Sequence, residues 1–253
     1  MIKSDKDYPC CPKGSHGKSH AVHEFRGIDF KVEGRRIYIT GCGPKTIIYI
    51  PDIFGIDLTQ TRKLCDSVAE NGYTVVMVDP FLGESWGLDA PIGPDCFKWI
   101  LNHKAEPVAK FTTEHLLPVL KKLGKTEFGV AGSCYGAWVA LRLSLEIPDC
   151  KAGIGFHPSY QVESMHGGDI KNVAEKVTAP QILFPAENDP AEIKEDGALI
   201  KLLQSKTGGK SETHTFTTEV HGFMNRGDLN NPATKKAHDE VLRLTGEFLK
   251  KNF

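Results

Sequence analysis

One segment, residues 127–140, constrains the fold of this chain more than any other stretch; its sequence is E-F-G-V-A-G-S-C-Y-G-A-W-V-A. Phe128, Val130 and Ala131 form a short apolar run that predicts a buried strand. The glycine-rich residues 132–136 interrupt this run, and a second apolar run that is compatible with a helix follows. The segment therefore predicts a thiol, that of Cys134, at a corner between a strand and a helix.

Gly132 and Gly136 flank Cys134 at two residues on either side, which is the G-x-S-x-G spacing of a nucleophile elbow with cysteine in the serine position. A side chain at either glycine would collide with backbone in so tight a turn. Amides at a helix N-terminus favour a thiolate, and the N–H of Tyr135 would face a developing oxyanion. The alternative is a buried structural cysteine, because free cysteine is among the most buried residue types.

Strand and helix patterns alternate along the chain. Continuous apolar runs predict buried strands at 46–50, 73–78, 128–131, 152–156 and 181–184, and a further strand is expected at 214–217. Helices are predicted at 57–71, 106–123, 137–147, 170–177, 190–203 and 232–249, and an edge hairpin at 28–40. This order predicts an α/β fold with a mostly parallel, doubly wound sheet, whose ligand site lies at the carboxyl ends of the strands.

Two local details accompany this assignment. Asp57 and Gln60 are predicted to form a capping pair at the start of the first helix. The loop at 79–96 is long and rich in glycine and proline, and we expect it to form one wall of a pocket.

Composition narrows the class of protein. The 253 residues include 31 Lys and Arg against 32 Asp and Glu, so the net charge of −1 does not suggest a nucleic-acid partner. No window approaches about 20 apolar residues and the first residues are polar, so we expect no membrane span and a cytoplasmic location. Residues 1–25 are expected to be a polar lead, and residues 26–253 a single domain.

Seven scattered cysteines predict reduced thiols rather than disulfides. A soft-metal site is one interpretation of the Cys/His group in the lead, but its irregular spacing favours a tail, and we assign no metal and no cofactor. That group consists of Cys10, Cys11, His16, His20 and His23.

A base and an acid are expected at the ends of later strands. Asp189 follows the strand at 181–184, and His221 follows the strand at 214–217, so both come after Cys134 in the order nucleophile, acid, histidine. Asp189 also suits a helix cap before Pro190. Glu187 is a competing carboxylate, and His157, at another strand end, is a competing imidazole.

Five motifs together resemble the dienelactone hydrolase family of α/β-hydrolases, the carboxymethylenebutenolidase-like branch. They are I-Y-I-P-D-I-F-G at 48–55, V-D-P-F at 78–81, G-S-C-Y-G at 132–136, A-E-N-D at 186–189 and H-G-F at 221–223. The H-P-S motif at 157–159 is more similar to eukaryotic members than to the bacterial lactonase. The resemblance implies an α/β-hydrolase fold with helices on both faces of the sheet.

The resemblance implies Cys134 as nucleophile, His221 as base and Asp189 as its orienting acid. It also implies that the backbone amides of Ile53 and Tyr135 form the oxyanion hole. A further set of residues is expected to contact the nucleophile or the substrate: Asp52, Glu84, Trp86, His157, Phe223 and Arg226.

Two positions depart from the bacterial pattern. Asp52 stands where the bacterial enzyme has a glutamate that interacts with the resting cysteine, so that interaction is expected to differ here. The loop after the V-D-P-F strand has Glu84 and no arginine, and Arg226 lies one residue further from the histidine than its bacterial counterpart. This pattern argues against dienelactone as the natural substrate.

The resulting hypothesis is a cysteine-dependent hydrolase of a small activated ester or lactone, working as a monomer or homodimer through an acyl-enzyme. One alternative is hydrolysis of another acyl bond or of a glycosidic bond. Another is a non-catalytic or redox-responsive protein that retains the fold.

Overall fold

The first two strands form the predicted hairpin at one edge of the sheet. In the computed structural model, which describes residues 25–253, β1 (Ile28–Val32) pairs antiparallel with β2 (Arg35–Thr40). The turn residues Glu33 and Gly34 both have positive φ, 46° and 80°, as a two-residue hairpin turn requires. Most of the polar lead, with its Cys/His group, lies outside the described residues.

Eight strands form one sheet across the described part of the chain, in the order β1-β2-β4-β3-β5-β6-β7-β8. The remaining strands are β3 (Lys45–Ile50), β4 (Thr74–Val78), β5 (Glu127–Ser133), β6 (Gly153–Phe156), β7 (Gln181–Phe184) and β8 (Glu212–Thr213). All pairs from β4 to β8 are parallel. The carboxyl ends of these strands therefore meet along one edge, as predicted.

Helices cover both faces of the sheet. They are α1 (Thr59–Ala69), α2 (Pro94–Leu101), α3 (Glu106–Phe111), α4 (Leu117–Lys122), α5 (Tyr135–Glu146), α6 (Val162–Met165), α7 (Ile170–Ala174), α8 (Ala198–Lys206), α9 (Phe223–Arg226) and α10 (Pro232–Asn252). One apolar core lies between the sheet and α5, and the second lies on the opposite face, between the sheet and the helices α1 and α10. This two-sided burial explains the continuous apolar runs of the central strands.

Two predicted helices are interrupted. The segment predicted at 106–123 contains a π-helical turn, Thr112–Leu116, between α3 and α4. The segment predicted at 190–203 holds only the 3₁₀ turn Ala191–Ile193 before α8 begins at Ala198. Asp196 has φ 63°, and a Cβ on Gly197 would lie 2.3 Å from the carbonyl oxygen of Glu192, so the chain turns sharply there.

The predicted capping pair at α1 does not form. Asp57 instead pairs with Arg36 and Arg62, while Gln60 donates to the carbonyl oxygen of Met224 in α9 at 3.1 Å. Long-range partners thus replace the local cap.

Two short regions of the structure differ from the secondary structure predicted from the sequence. The strand predicted at 214–217 is shifted, because β8 ends at Thr213 and only the isolated bridge between Ala186 and Phe216 continues the pairing. The helix α2 was not predicted, since its residues were placed partly in the loop at 79–96.

Candidate active site

Cys134 lies at the corner between β5 and α5. Its backbone has φ 54° and ψ −123°, a conformation that a non-glycine residue adopts rarely. A Cβ on Gly132 would lie 2.2 Å from the carbonyl oxygen of Gly136, and a Cβ on Gly136 would lie 2.1 Å from that of Ile50. The two glycines are therefore required by backbone contacts, as the spacing predicts.

The loop after β6 holds the elbow from the side. The N–H of Cys134 donates to the carbonyl oxygen of Phe156 at 3.1 Å, and the N–H of Ser159 donates to that of Cys134, also at 3.1 Å. The Ser159 hydroxyl also donates to the Cys134 sulfur at 3.4 Å. Because Cys134 and Ser159 are fully buried, this hydroxyl is a defined polar neighbour of the thiol.

His221 and Asp189 form a buried pair. Nδ1 of His221 and Oδ1 of Asp189 are 2.6 Å apart, and neither side chain is exposed. The other oxygen of Asp189 accepts from the N–H of Ala186 at 2.7 Å, while the N–H of His221 donates to Oδ1 of Asn188 at 2.7 Å. Both residues are thus oriented by the turn after β7.

The sequence left two alternatives open at this turn, Asp189 as a helix cap and Glu187 as the acid. No side-chain cap bond is made at the 3₁₀ turn that follows Asp189. Glu187 is exposed, and its N–H donates to the carbonyl oxygen of Glu219 at 2.9 Å. The Asp189 carboxylate is therefore the one that faces His221.

Asp52 is a fully buried carboxyl group in the turn after β3. Its pKa is raised to about 6, chiefly by burial and also by the nearby Cys134, against the opposing effects of Arg226, the N–H of Phe54 and His221. The Phe54 N–H donates to Oδ1 at 3.1 Å. Asp52 therefore lies within electrostatic range of both the thiol and the imidazole.

Arg226 lies against Asp52 from α9. Its Nε is 3.4 Å from Oδ2 of Asp52, and its guanidinium lies over the ring of Phe54, 4.7 Å from the centroid. Arg226 is only 3% exposed, and a Cβ on Gly222 would lie 2.2 Å from its guanidinium. The geometry places this arginine in a narrow space that the glycine before α9 leaves open.

His157 directly follows β6 and is also fully buried. Its ring lies 4.8 Å from that of His221, at an interplanar angle of 69°, and 5.9 Å from that of Phe223. Its Nε2 lies 2.9 Å from Oδ1 of Asn225. Burial, with His221 next, keeps the pKa of His157 well below its usual value, so this imidazole is neutral.

The remaining candidate residues from the sequence differ in their burial. Ile53, in the turn after β3, and Tyr135, at the start of α5, are both buried. Trp86 is half-buried, and its backbone N–H donates to the carbonyl oxygen of Ile53 at 2.8 Å. Glu84 is exposed and does not join the buried cluster.

Sequence reasoning missed three polar residues behind His157. Nδ2 of Asn225 donates to the Thr61 hydroxyl at 2.7 Å and to the Tyr49 hydroxyl at 3.2 Å. Tyr49 in turn lies 2.6 Å from the Ser133 hydroxyl, next to the elbow. These residues belong to distant segments, so no local motif signals them. The contact of Ser159 with the thiol was also missed, because the sequence marked Ser159 only as part of H-P-S.

The described residues contain no group of three or more His, Cys, Asp or Glu side chains arranged to hold a metal ion. Within the same range, no helix combines the length and apolar character needed to cross a membrane.

Comparison with known proteins identifies the family of this chain. The model of the dienelactone hydrolase family covers residues 39–253. The human carboxymethylenebutenolidase homolog is 27% identical over 98% of this chain and 99% of its own length. Dienlactone hydrolase 1 of Gibberella moniliformis is 26% identical over 88% of this chain and 85% of its own length.

Solved structures agree on the fold. A putative dienelactone hydrolase from Klebsiella pneumoniae superposes with a TM-score of 0.61 at 14% identity, covering 83% of this chain and 92% of its own. The resemblance expected from the five motifs and the expected α/β-hydrolase fold are both confirmed. The chain is a hydrolase-type protein that belongs to the dienelactone hydrolase family.

Proposed function

We propose that this protein hydrolyses small activated esters or lactones through a Cys134–His221–Asp189 triad and a covalent acyl-enzyme. The observation that carries the proposal is the buried 2.6 Å pair of His221 and Asp189, set at the same sheet edge as the strained Cys134. A nucleophile, a base and an orienting acid in this relation are the parts of nucleophilic acyl transfer.

In the first step His221 takes the proton of the Cys134 thiol, and the sulfur attacks the carbonyl carbon of the substrate. The Asp189 carboxylate holds the imidazole in its reactive tautomer and stabilises the imidazolium. The Ser159 hydroxyl, 3.4 Å from the sulfur, stabilises negative charge on it. The backbone amides of Ile53 and Tyr135 are proposed to hold the oxyanion.

The leaving alcohol then takes the proton from His221, and a thioester to Cys134 remains. Water hydrolyses this thioester and regenerates the thiol. A thiolate is itself a good leaving group, so substrates with enol or phenol leaving groups are favoured over amides.

The charges around the site favour an ester over a glycosidic bond. A glycosidase needs two carboxyl groups that flank the cleft. Asp52 is buried beside Arg226, whereas Glu84 is exposed, so these two carboxyl groups are in different environments. The positive charge of Arg226 is already opposed by Asp52, which supports an uncharged substrate rather than an anionic lactone.

This chemistry requires a reducing compartment, and we propose the cytoplasm. The described cysteines, at positions 42, 65, 96, 134 and 150, are thiols rather than disulfides. A cysteine nucleophile is active only when it is reduced.

The test is turnover of p-nitrophenyl acetate, a cis-dienelactone and an acyl-thioester, with intact-mass detection of a Cys134 adduct. Cys134→Ala is expected to lower kcat by about 10³-fold or more, because the nucleophile is lost. Cys42→Ala, which removes an exposed thiol, is the matched control and is expected to retain full activity. Unchanged turnover in Cys134→Ala would refute the proposed mechanism.

A further inference from the structure

Two strained, buried residues lie side by side at the carboxyl edge of the sheet. Ser133 and Phe156 are register partners in β5 and β6, so the residues that follow them, Cys134 and His157, are neighbours. Cys134 has φ 54° and His157 has φ 36°, and both are fully buried. Non-glycine residues with positive φ cost free energy and cluster at functional sites.

Hydrogen bonds determine which nitrogen of His157 carries the proton. The amide nitrogen of Asn225 donates to Thr61 and Tyr49, so its oxygen, Oδ1, is the acceptor that faces Nε2 of His157 at 2.9 Å. Nε2 of His157 therefore bears the hydrogen, and Nδ1 carries the lone pair.

Nδ1 of His157 is buried and has no hydrogen-bond partner among residues 25–253. A buried acceptor without a partner is costly. The ring that carries it is 4.8 Å from the ring of His221, at an angle that is nearly edge-on. An acceptor is thus held beside the proposed base.

The two imidazoles differ in their partners. His221 is bound to the carboxylate of Asp189, which stabilises its protonated form, whereas His157 is bound to the neutral amide of Asn225. His157 therefore suits an acceptor that stays neutral throughout the reaction, and His221 suits the group that gains and loses a proton.

We propose that Nδ1 of His157 accepts a hydrogen bond from the hydrolytic water while His221 removes the other proton of that water. This role rests on the proposed function. The water oxygen attacks the thioester carbon and its proton passes to His221. The C–S bond then breaks, the Cys134 sulfur leaves and takes up that proton, and the acyl group departs as a carboxylic acid. His157 is then a catalytic residue of deacylation only.

The first test is pre-steady-state hydrolysis of p-nitrophenyl acetate by wild type, His157→Phe and His157→Gln. The burst amplitude counts folded, acylation-competent sites, and the rate after the burst measures deacylation. In His157→Phe we expect deacylation to slow by about 10- to 100-fold, the effect of losing one buried hydrogen bond. Both kcat and KM fall together, and kcat/KM changes by less than about threefold.

His157→Gln retains an amide oxygen as an acceptor, and it is expected to recover part of the deacylation rate. His238→Leu removes another buried imidazole, in α10, and is the control for a general effect of losing such a group. It is expected to leave both phases unchanged.

A second test uses methanol as a competing acceptor of the acyl group. Methanol has one O–H, so it needs His221 but offers no second hydrogen to His157. In His157→Phe the ratio of methyl ester to free acid is expected to rise by about tenfold or more over wild type.

The outcomes separate this proposal from the function on which it rests. If wild type shows neither a burst nor a Cys134 adduct, the acyl-enzyme mechanism fails and the water role fails with it. If wild type shows both, three results for His157→Phe would each overturn the water role. They are an unchanged rate of deacylation, a fall in kcat/KM as large as the fall in the deacylation rate, and an unchanged ratio of methyl ester to free acid.

Discussion

At the scale of single residues, Asp52 is the clearest case of a buried charge that lowers the stability of the fold. Its carboxyl group is fully buried, and the cost of burying a charge outweighs the attraction of Arg226, so its pKa rises from 3.8 to about 6. The native state therefore binds this proton more tightly than the unfolded state does. Ionised Asp52 lowers the stability of the fold at neutral pH.

Asp52→Asn is expected to stabilise the protein at pH 7.5. The cost of the charge is absent below the unfolded pKa of 3.8, grows as pH rises, and is fully present above about pH 6. Asparagine avoids it, and a shift of about two units corresponds to about 3 kcal/mol at most. Urea unfolding at pH 7.5 and pH 4 measures the difference, which should nearly vanish at pH 4.

A loss of stability in Asp52→Asn at pH 7.5 would show the opposite balance. The ion pair with Arg226 would then contribute more than the burial of the carboxylate costs.

At the scale of elements, the contact of α5 with the end of β3 determines where the elbow lies. Gly136, in the first turn of α5, faces the carbonyl oxygens of Ile50 and Pro51, and a Cβ would approach them to 2.1 and 2.3 Å. Backbone atoms cannot move aside as a flexible side chain can. The helix therefore packs against the strand end only with glycine at this position.

Gly136→Ala is expected to destabilise the fold by about 4 kcal/mol or more, in the range of strongly overpacked core substitutions. The matched control is Gly93→Ala at the start of α2, where a Cβ meets no atom within 4 Å. Soluble yield and urea unfolding compare the two variants. A Gly136→Ala protein as stable as Gly93→Ala would contradict this packing.

At the scale of the whole molecule, the two apolar cores bury titratable groups far from the site. His238 of α10 is 8% exposed, and burial lowers its pKa to about 4, with Asp239 opposing and Lys235 and Lys63 reinforcing the shift. The native state binds this proton less tightly than the unfolded state. Stability from this group is present above about pH 6.5 and is lost as pH falls toward 4.

His238→Leu is expected to flatten the acid dependence of unfolding. Between pH 7 and pH 4 wild type should lose up to about 3 kcal/mol more than the variant, from a shift of about two and a half units. Substitution of the exposed His115 by Gln is the control and should keep the wild-type slope. Parallel curves for wild type and His238→Leu would disprove the assignment.

The candidate triad could be predicted because its signals are local. Gly132 and Gly136 mark the elbow. Asp189 lies in the turn after β7, and His221 lies in the loop after the isolated bridge at Phe216. In a parallel sheet, consecutive strand ends meet at one edge, so the order along the chain already indicates proximity. The placement of Cys134, Asp189 and His221 follows from this reasoning, while their catalytic roles stay predictions.

The wrong secondary-structure predictions arise from contacts that local sequence patterns do not describe. The helix predicted at 190–203 is broken because Gly197 packs against the backbone of Glu192, and the cap predicted at Asp57 is lost to two arginines. Propensity and capping patterns describe the neighbours of a residue along the chain. They contain no information about partners that approach from elsewhere.

Patterns along the chain predicted most of the strands and helices, the position of the elbow and the family, because spacing and apolar period are properties of residues that are close in sequence. Three features depend on the folded structure alone: the tautomer of His157, the contact of Ser159 with the thiol and the pairing of Asp52 with Arg226. His157 and Asn225 are 68 positions apart, and Asn225 and Tyr49 are 176 apart. Such contacts exist only after the chain has folded, so their geometry depends on the packing of the whole sheet.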